Sequence, residues 1–468
     1  MMDRMPESNH IKEIASDAVP AWLPGAWPED QPLVGLFSSP GNARWNRWSI
    51  LGIPSEYRCV SRRDAGDGKR VAEILDIIQP GRADHRDMSD RSPFHGGWIG
   101  MLAYELGFLF EPSGRSVPEG SKEQAGSGLI EMARIDSALV HDNLAGQWLL
   151  VGDRRQWPLL ESILASSTSP ATNGDPIGRC AVTPDAESYM TSIRKVIELI
   201  HEGDLFQANI GHMTRGEVKA GPRSIATRAL STAPARFGAY LELPGDRAVL
   251  SLSPELFLDV NAGGEVTTCP IKGTRSEAGC ETELHESPKD RAELNMIIDL
   301  MRNDLGRCCT PGSIRVVSER DIEHHPTIMH ASAEILGRLP AGCSISELLN
   351  ASFPPGSVTG APKIRAMQVI DQLEGFQRGP WCGSIGFFSN CGHSTLSVAI
   401  RTLLLEACRV SDDSCRFSYA AGCGIVSDSD PALEYVESMD KCAVLDRFSD
   451  PVDQERDLSR SAAVPAAT

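Results

Sequence analysis

The stretch from Thr267 to Arg307, TTCPIKGTRSEAGCETELHESPKDRAELNMIIDLMRNDLGR, constrains the fold more than any other part of the chain. A β run at Val266, Thr267 and Thr268 breaks at Pro270-Ile271-Lys272-Gly273-Thr274. There proline ends strand pairing, and glycine lets the backbone approach another group closely. Ser287-Pro288 then reads as an N-cap with proline in the first helical turn. Leu294, Ile297, Ile298, Met301 and Leu305 recur at helical spacing and mark a buried stripe. Glu293 and Asp299 fall off that stripe, and spacing alone allows either a solvated helix face or a functional one. A strand closed by proline and followed by a long amphipathic helix requires a mixed α and β fold.

Toward the N-terminus the patterning is of β type. It runs through PLVGLFSS from Pro32, ARWNRWSILG, GGWIGMLAYELGFLF and ARIDSALVHDNLAGQWLLVGD, the last with a hairpin signature around Asp142-Asn143 and Gly146. Residues 1 to about 30 are polar and proline-rich, expected as a loose entry arm. SSTSPATNGDPIG, within 154–182, has linker composition. The expected organisation is an N-terminal region over 1–160, a linker over 161–183, a second region over 184–446 and a disordered tail over 447–468.

Within the second region, Pro184 to Gly203 reads as an amphipathic helix whose apolar face is Tyr189, Ile193, Val196, Ile197 and Ile200. GDLFQANIGHM follows as a strand opening at Gln207, and Asn261 to Gly264 reverses the chain between two later strands. Glu255 stands at a strand mouth, and His330 is a lone histidine in HHPTIMHASAEILG. SFPPGSVTGAPK leads into a helix with Pro362 in its first turn, where backbone N–H groups attract carboxylates. Arg401 interrupts the apolar run STLSVAIRTLLLE; a buried guanidinium needs a partner, and a bound carboxylate is a suitable bidentate one. Asp430 caps a final helix beginning at Pro431, on which Glu434, Glu437 and Lys441 share one face. That face is either a solvated Glu–Lys ladder or a site.

At 468 residues, 41% hydrophobic and 23% charged, the chain is an ordinary globular protein with one large domain or two. Its net charge of -18, without any Lys/Arg stripe, argues against nucleic acid and anionic membrane as partners. An anionic substrate would need local cations or a metal to overcome that field. No apolar run reaches the roughly 18 residues of a membrane span, and the N-terminus shows no secretory signal. The cysteines are scattered without a CxxC pair and read as reduced thiols in a cytoplasmic protein.

PIKGT, KDRAELNMIIDLMRNDLGR and FPPGSVTGAPKIRAMQVID together resemble the chorismate-utilising enzymes, the family of anthranilate, aminodeoxychorismate, isochorismate and salicylate synthases. RWSILG and GGWIGMLAYELG resemble the N-terminal region of the same family, so the likeness spans roughly 32–445. The resemblance implies an α+β fold of two large facing antiparallel sheets flanked by helices. Lys272 in PIKGT and the spelling WCGSIG resemble the aminodeoxychorismate branch; anthranilate synthases typically carry alanine at the lysine position. Isochorismate and salicylate synthases carry a lysine where this chain has Gln207.

What the resemblance implies is amination of chorismate to 4-amino-4-deoxychorismate, a precursor of 4-aminobenzoate and folate. Lys272 would be the nucleophile and Glu255 the general acid; Glu293 and Glu437 would hold Mg²⁺. Gln207, Thr274, His330, Trp381, Arg401, Gly422, Gly424, Glu434 and Lys441 would bind substrate, with Trp381 standing where several relatives have tyrosine. No cysteine sits in a GxCxGxQ-type turn, so ammonia would come from a separate glutamine amidotransferase subunit. Alternatives are an anthranilate synthase and an inactive chorismate-binding paralogue that regulates a glutaminase. The family's N-terminal region can also hold a bound tryptophan; the match around Ser38, Arg47 and Ser49 is loose, and ordinary sheet residues are the reading kept there.

Overall fold

Gly97–Leu102 is the strand that shows how the chain is put together. It hydrogen-bonds on one side to Ile130–Asp142 and on the other to Ser384–Ser389, almost 300 residues away by the pairing of Gly97 with Ser389. The computed structural model describes residues 11–41, 44–61, 68–79, 91–117, 122, 126–167, 180–276, 281–324 and 328–448. Within them one antiparallel ladder can be followed without a break. It starts at Arg315–His324 and Ile328–Arg338 and passes through Glu265–Cys269, Leu256–Val260, Ser394–Val398 and Ser384–Ser389 to Gly97–Leu102. It continues through Ile130–Asp142, Trp48–Val60, Val34–Phe37, Phe237–Leu243, Arg247–Ser253 and Thr402–Glu406 to Cys415–Ile425 and Gln207–Val218.

Alternation along these strands turns every second residue inward. Ile50, Ile99, Met101, Ile135 and Val140 meet Leu241, Val249, Ile385, Phe387 and Leu404 in one buried cluster. The facing layers expected from the sequence are therefore two parts of a single folded ladder. Helices cover its outer faces. Pro288–Gly306 begins at the expected cap, Ser287, whose hydroxyl accepts the Asp290 N–H, and all five stripe residues from Leu294 to Leu305 are buried. Asp299, off the stripe, is exposed and pairs with Arg302, as a solvated face should. Ala186–His201 buries Tyr189, Ile193 and Val196 and is capped by Asp185.

Two expectations of looseness need correction. Residues 11–30 are not a free arm: Ile11–Ile14 pairs with Gln147–Gly152, and Leu23 and Trp27 are buried. The cause is Arg223, a buried side chain whose guanidinium donates to the carbonyls of Trp27, Pro28 and Gln31 at 2.6–2.8 Å while pairing with Glu242. All five of its N–H donors are used, and three of them hold the irregular backbone between Trp27 and Gln31. In the segment expected as linker, the helix Trp157–Ser166 runs past residue 160, and Ala181–Thr183 is a strand paired with Gln207–Val218. The stretch 168–179 and the expected tail from 449 onward lie outside the described residues. Among the described residues no helix is long and apolar enough to cross a membrane.

Candidate active site

Gln207 opens its strand as expected and is buried. Its strand is paired on one side with Gly360–Ala361, from the glycine-rich loop, and on the other with Cys415–Ile425. The second pairing sets Gly422 opposite Gly211 and Gly424 opposite Asn209. Gly424 is a close approach that only glycine permits: a Cβ there would lie 2.4 Å from Gln207 Nε2 and 3.2 Å from Lys272 Nζ. The amide of Gln207 and the ammonium of Lys272 thus converge over one bare piece of backbone.

Lys272 lies on Ile271–Ser276, two residues before Thr274, whose register partner on the neighbouring strand is the buried His330. Gly273 between them has φ +83°, which glycine adopts without strain. Lys272 Nζ reaches the Ser357 carbonyl of the glycine-rich loop at 3.4 Å. Glu255 occupies the short link between Arg247–Ser253 and Leu256–Val260, its backbone carbonyl accepting the Val398 N–H. Burial pushes its carboxyl up to about 7, against the opposing pull of the Ser357 hydroxyl, Lys272 and the Ile271 amide. A carboxylic acid that still holds its proton near neutrality therefore stands beside a lysine.

A second group lies along the same strand. The helix Pro431–Asp440, capped by Asp430 as expected, buries Glu434, whose Oε1 accepts the Ser429 hydroxyl at 2.7 Å. Glu437, three residues on, pairs with Lys441 at 2.8 Å, and Lys441 Nζ also donates to the Gly422 carbonyl at 2.9 Å. Burial works against the Lys441 charge, but Cys423 and Glu437 outweigh it and raise its pKa. Potential ligand atoms of Cys423, Glu434 and Glu437 lie within 4.8 Å of one another. Glu293 is not part of that group; it occupies a half-buried position on Pro288–Gly306.

Arg401 stands at the turn before Thr402–Glu406 with φ +52°, a conformation costly for a side-chain-bearing residue. Burial lowers its pKa, opposed only by Tyr419. Its guanidinium makes no ion pair or hydrogen bond among the described residues. Tyr419 in turn donates to the Lys441 carbonyl at 2.8 Å. Trp381 is buried, packed over Gly211, where a Cβ would meet its ring at 2.1 Å.

What lies behind Trp381 was not anticipated. Arg378 is sandwiched between the rings of Trp381 and Tyr104, 4.6 Å from each centroid. It makes a fork-like pair with Glu374 at 2.6 and 2.9 Å and donates to the carbonyls of Asn209 and Val358. Glu105, in the N-terminal half, accepts the backbone N–H groups of Arg378 and Gly379. This fully buried hub clamps the Gln207 strand, the glycine-rich loop and the N-terminal half together. The i, i+4 spacing of Glu374 and Arg378 beside the RGPW turn was its one signal in the sequence. Asp304 and Lys363 form a second buried pair, 2.7 Å apart, that fastens Pro288–Gly306 to the start of Lys363–Leu373.

The chain from residue 36 to 447 matches the family model described as chorismate binding enzyme. It belongs to that family. The aminodeoxychorismate synthase component 1 of Klebsiella aerogenes is 38% identical over 359 residues, covering 75% of this chain and 76% of that protein. That of Escherichia coli K12 is 36% identical over 390 residues, covering 79% and 80%. Anthranilate synthase component 1 1 of Haloarcula marismortui is 32% identical, covering 84% and 83%. Among solved structures, anthranilate synthase component I from Streptococcus pneumoniae TIGR4 superposes with a TM-score of 0.73 at 27% identity, covering 87% of this chain and 94% of that one. The family's fold, a large antiparallel sheet flanked by helices, is the fold of this chain.

Away from this site, Ser38 and Ser49 are joined to each other and to the sheet backbone, and Arg47 pairs with Asp142. Ser38 and Arg47 also line a largely apolar cavity of about 290 Å³ with Phe237 and Phe387.

Proposed function

We propose that this enzyme is the chorismate-aminating component of an aminodeoxychorismate synthase, joining chorismate and ammonia to give 4-amino-4-deoxychorismate and water. The observation that carries the reading is the nearness of Lys272 to a Glu255 that stays protonated to about pH 7, in a family whose aminodeoxychorismate synthase members are similar over most of the chain. Glu255 can hand its proton to the departing C4 hydroxyl. Lys272, in its neutral amine form, adds its lone pair at C2 as the ring double bonds shift and that hydroxyl leaves as water. Ammonia then adds at C4, the double bonds return, the C2–N bond to Lys272 breaks, and Glu255 regains a proton from the new ammonium.

Chorismate carries two carboxylates. The unpaired Arg401 guanidinium and the Lys441 ammonium are suited to one of them, with the Gly422 and Gly424 backbone leaving room for close approach. Gln207, which cannot deprotonate water, supports amination over hydration. Magnesium takes oxygen ligands, and the Glu437 carboxylate, with that of Glu434 beside it, would offer one; the Cys423 thiol, pushed up to about 12 by burial, stays protonated and is no ligand for it. The family resemblance assigns the other ligand to Glu293. When bound, the ion would neutralise the ring carboxylate and draw electrons from the ring under attack. Because relatives similar over most of the chain are named as a first component, ammonia is expected from a glutaminase partner.

The test is product identification after mixing the purified chain with chorismate, Mg²⁺ and excess ammonium salt at mildly alkaline pH. A product that an added lyase converts to 4-aminobenzoate supports the proposal. Direct release of fluorescent anthranilate refutes it and makes the anthranilate reading the correct one.

A further inference from the structure

The turn Pro355–Thr359, between the helix Ile345–Ser352 and the strand Gly360–Ala361, is held on nearly every polar atom. The Pro355 and Gly356 carbonyls accept the Thr359 hydroxyl, each at 3.1 Å. The Val358 carbonyl accepts Asn209 Nδ2 and Arg378 Nη1, and the Thr359 carbonyl accepts the Asn209 N–H. Gly356 is pressed against Pro288–Gly306 so tightly that a Cβ would lie 2.7 Å from Leu300. Ser357 is the exception. Its carbonyl faces Lys272 Nζ, and its hydroxyl is buried without a partner.

The neighbouring Glu255 is in the complementary position. The Ser357 hydroxyl is close enough to draw on the carboxyl's proton affinity, yet no hydrogen bond of good geometry has formed, and Glu255 Oε1 is itself buried without a partner. A buried donor and a buried acceptor left unmade are each costly, and a hydrogen bond between these two would satisfy both. The turn that carries the hydroxyl is too firmly fastened to move away.

We infer that Ser357 is the positioning residue of this site: its hydroxyl donates to Glu255 Oε1, aims the acid for proton delivery, and its carbonyl steadies Lys272 at the same time. The inference rests on the reading of Glu255 as the acid given above. The other groups that face Glu255 are the Lys272 ammonium, the Ile271 amide and the Cys382 thiol, which burial keeps protonated at about 12. None of them is altered by a change at Ser357.

A hydrogen bond donated to a carboxylate favours its charged form, so Ser357→Ala should raise the proton affinity of Glu255. The alkaline limb of kcat/KM, where the acid loses its proton, should move to higher pH by roughly half to one unit, with the KM for chorismate little changed. Ser357→Thr, which keeps the hydroxyl, should restore the original limb. A residue that only packs would leave the limb in place, and that result overturns the inference. So does a raised KM for chorismate with an unmoved limb, because the hydroxyl would then be a substrate contact. The same shift is measurable without turnover, as an infrared titration of the carboxyl band that disappears in Glu255→Gln. If the wild-type chain makes no aminated product, the infrared titration still tests Ser357, and the two failures are told apart.

Discussion

Replacing Glu255 by glutamine should make the protein more stable at alkaline pH while removing its acid. In the folded chain burial holds the carboxyl at about 7, whereas a free glutamate side chain titrates at 4.5. Below 4.5 both folded and unfolded chains carry the neutral acid, and glutamine of nearly the same shape changes little. Between the two values the unfolded chain ionises and the folded one does not, so wild-type stability falls as pH rises through this window. Above about 7 the folded chain must keep a buried carboxylate, and the full penalty, at 1.36 kcal/mol for each pH unit of separation, reaches about 3 kcal/mol.

Glutamine has no such charge to bury. The expected result is that Glu255→Gln matches wild type in urea unfolding near pH 4 and exceeds it by up to about 3 kcal/mol near pH 8.5, with the gap opening across the window between. Comparing the two chains at each pH cancels every other titrating group. The assay is a urea midpoint series at constant ionic strength, followed by tryptophan fluorescence. A variant that is equally stable at both ends, or less stable at high pH, would refute the argument that desolvation governs this carboxyl.

Lys272→Ala should lower amination by roughly 10³-fold or more while leaving magnesium-dependent chorismate binding measurable by calorimetry. Arg401→Gln should raise the KM for chorismate roughly 10- to 100-fold, the loss of one charge-assisted contact, and raise the urea midpoint rather than lower it, because among the described residues that guanidinium has no ion pair or hydrogen bond to lose and its burial is a cost. Gly424→Ala should fold, yet lose kcat/KM by at least about tenfold, since its methyl falls 2.4 Å from Gln207 Nε2 and 3.2 Å from Lys272 Nζ. Arg378→Met should cost about 3–5 kcal/mol by stranding Glu374, and adding Glu374→Gln should recover much of that loss, as a double-mutant cycle in urea would show.

Local patterns in this chain were readable wherever a short-range rule governs them. The buried stripe of Pro288–Gly306, the cap at Ser287, the strand start at Gln207 and the cap at Asp430 each depend on residues within one or two turns. Misreadings arose where a partner is remote in sequence. Residues 11–30 look like a loose arm because their composition is polar and proline-rich, but Arg223 gathers their carbonyls from almost 200 positions away. The Glu105–Arg378–Glu374 hub was hidden for the same reason: its two carboxylates come from different halves of the chain. In the site, Lys272, Glu255 and Gln207 drew attention through the words around them, while Ser357 did not, since a serine in a glycine-rich loop is unremarkable until its neighbours are seen.

Charge explains why so many of these residues converge. The chain carries a net charge of -18, a field that repels a substrate with two carboxylates. Overall composition cannot attract such a substrate; only cations held at short range in a poorly solvated place can. The structure supplies three basic side chains around the strand that carries Gly422 and Gly424: Lys272 against Gly424, Lys441 on the Gly422 carbonyl, and Arg401 near Tyr419 of the same strand. Lys441 is matched to Glu437 on its neighbouring helix turn, and among the described residues Lys272 donates to a carbonyl at 3.4 Å and Arg401 makes no ion pair or hydrogen bond. Burying an unmatched guanidinium at a strained backbone position destabilises the free protein, and under the proposed function a ligand carboxylate would relieve that cost on binding. The same argument orders the three basic side chains: Arg401 should contribute most to binding and Lys272 least, with Lys441, already matched to Glu437, between them.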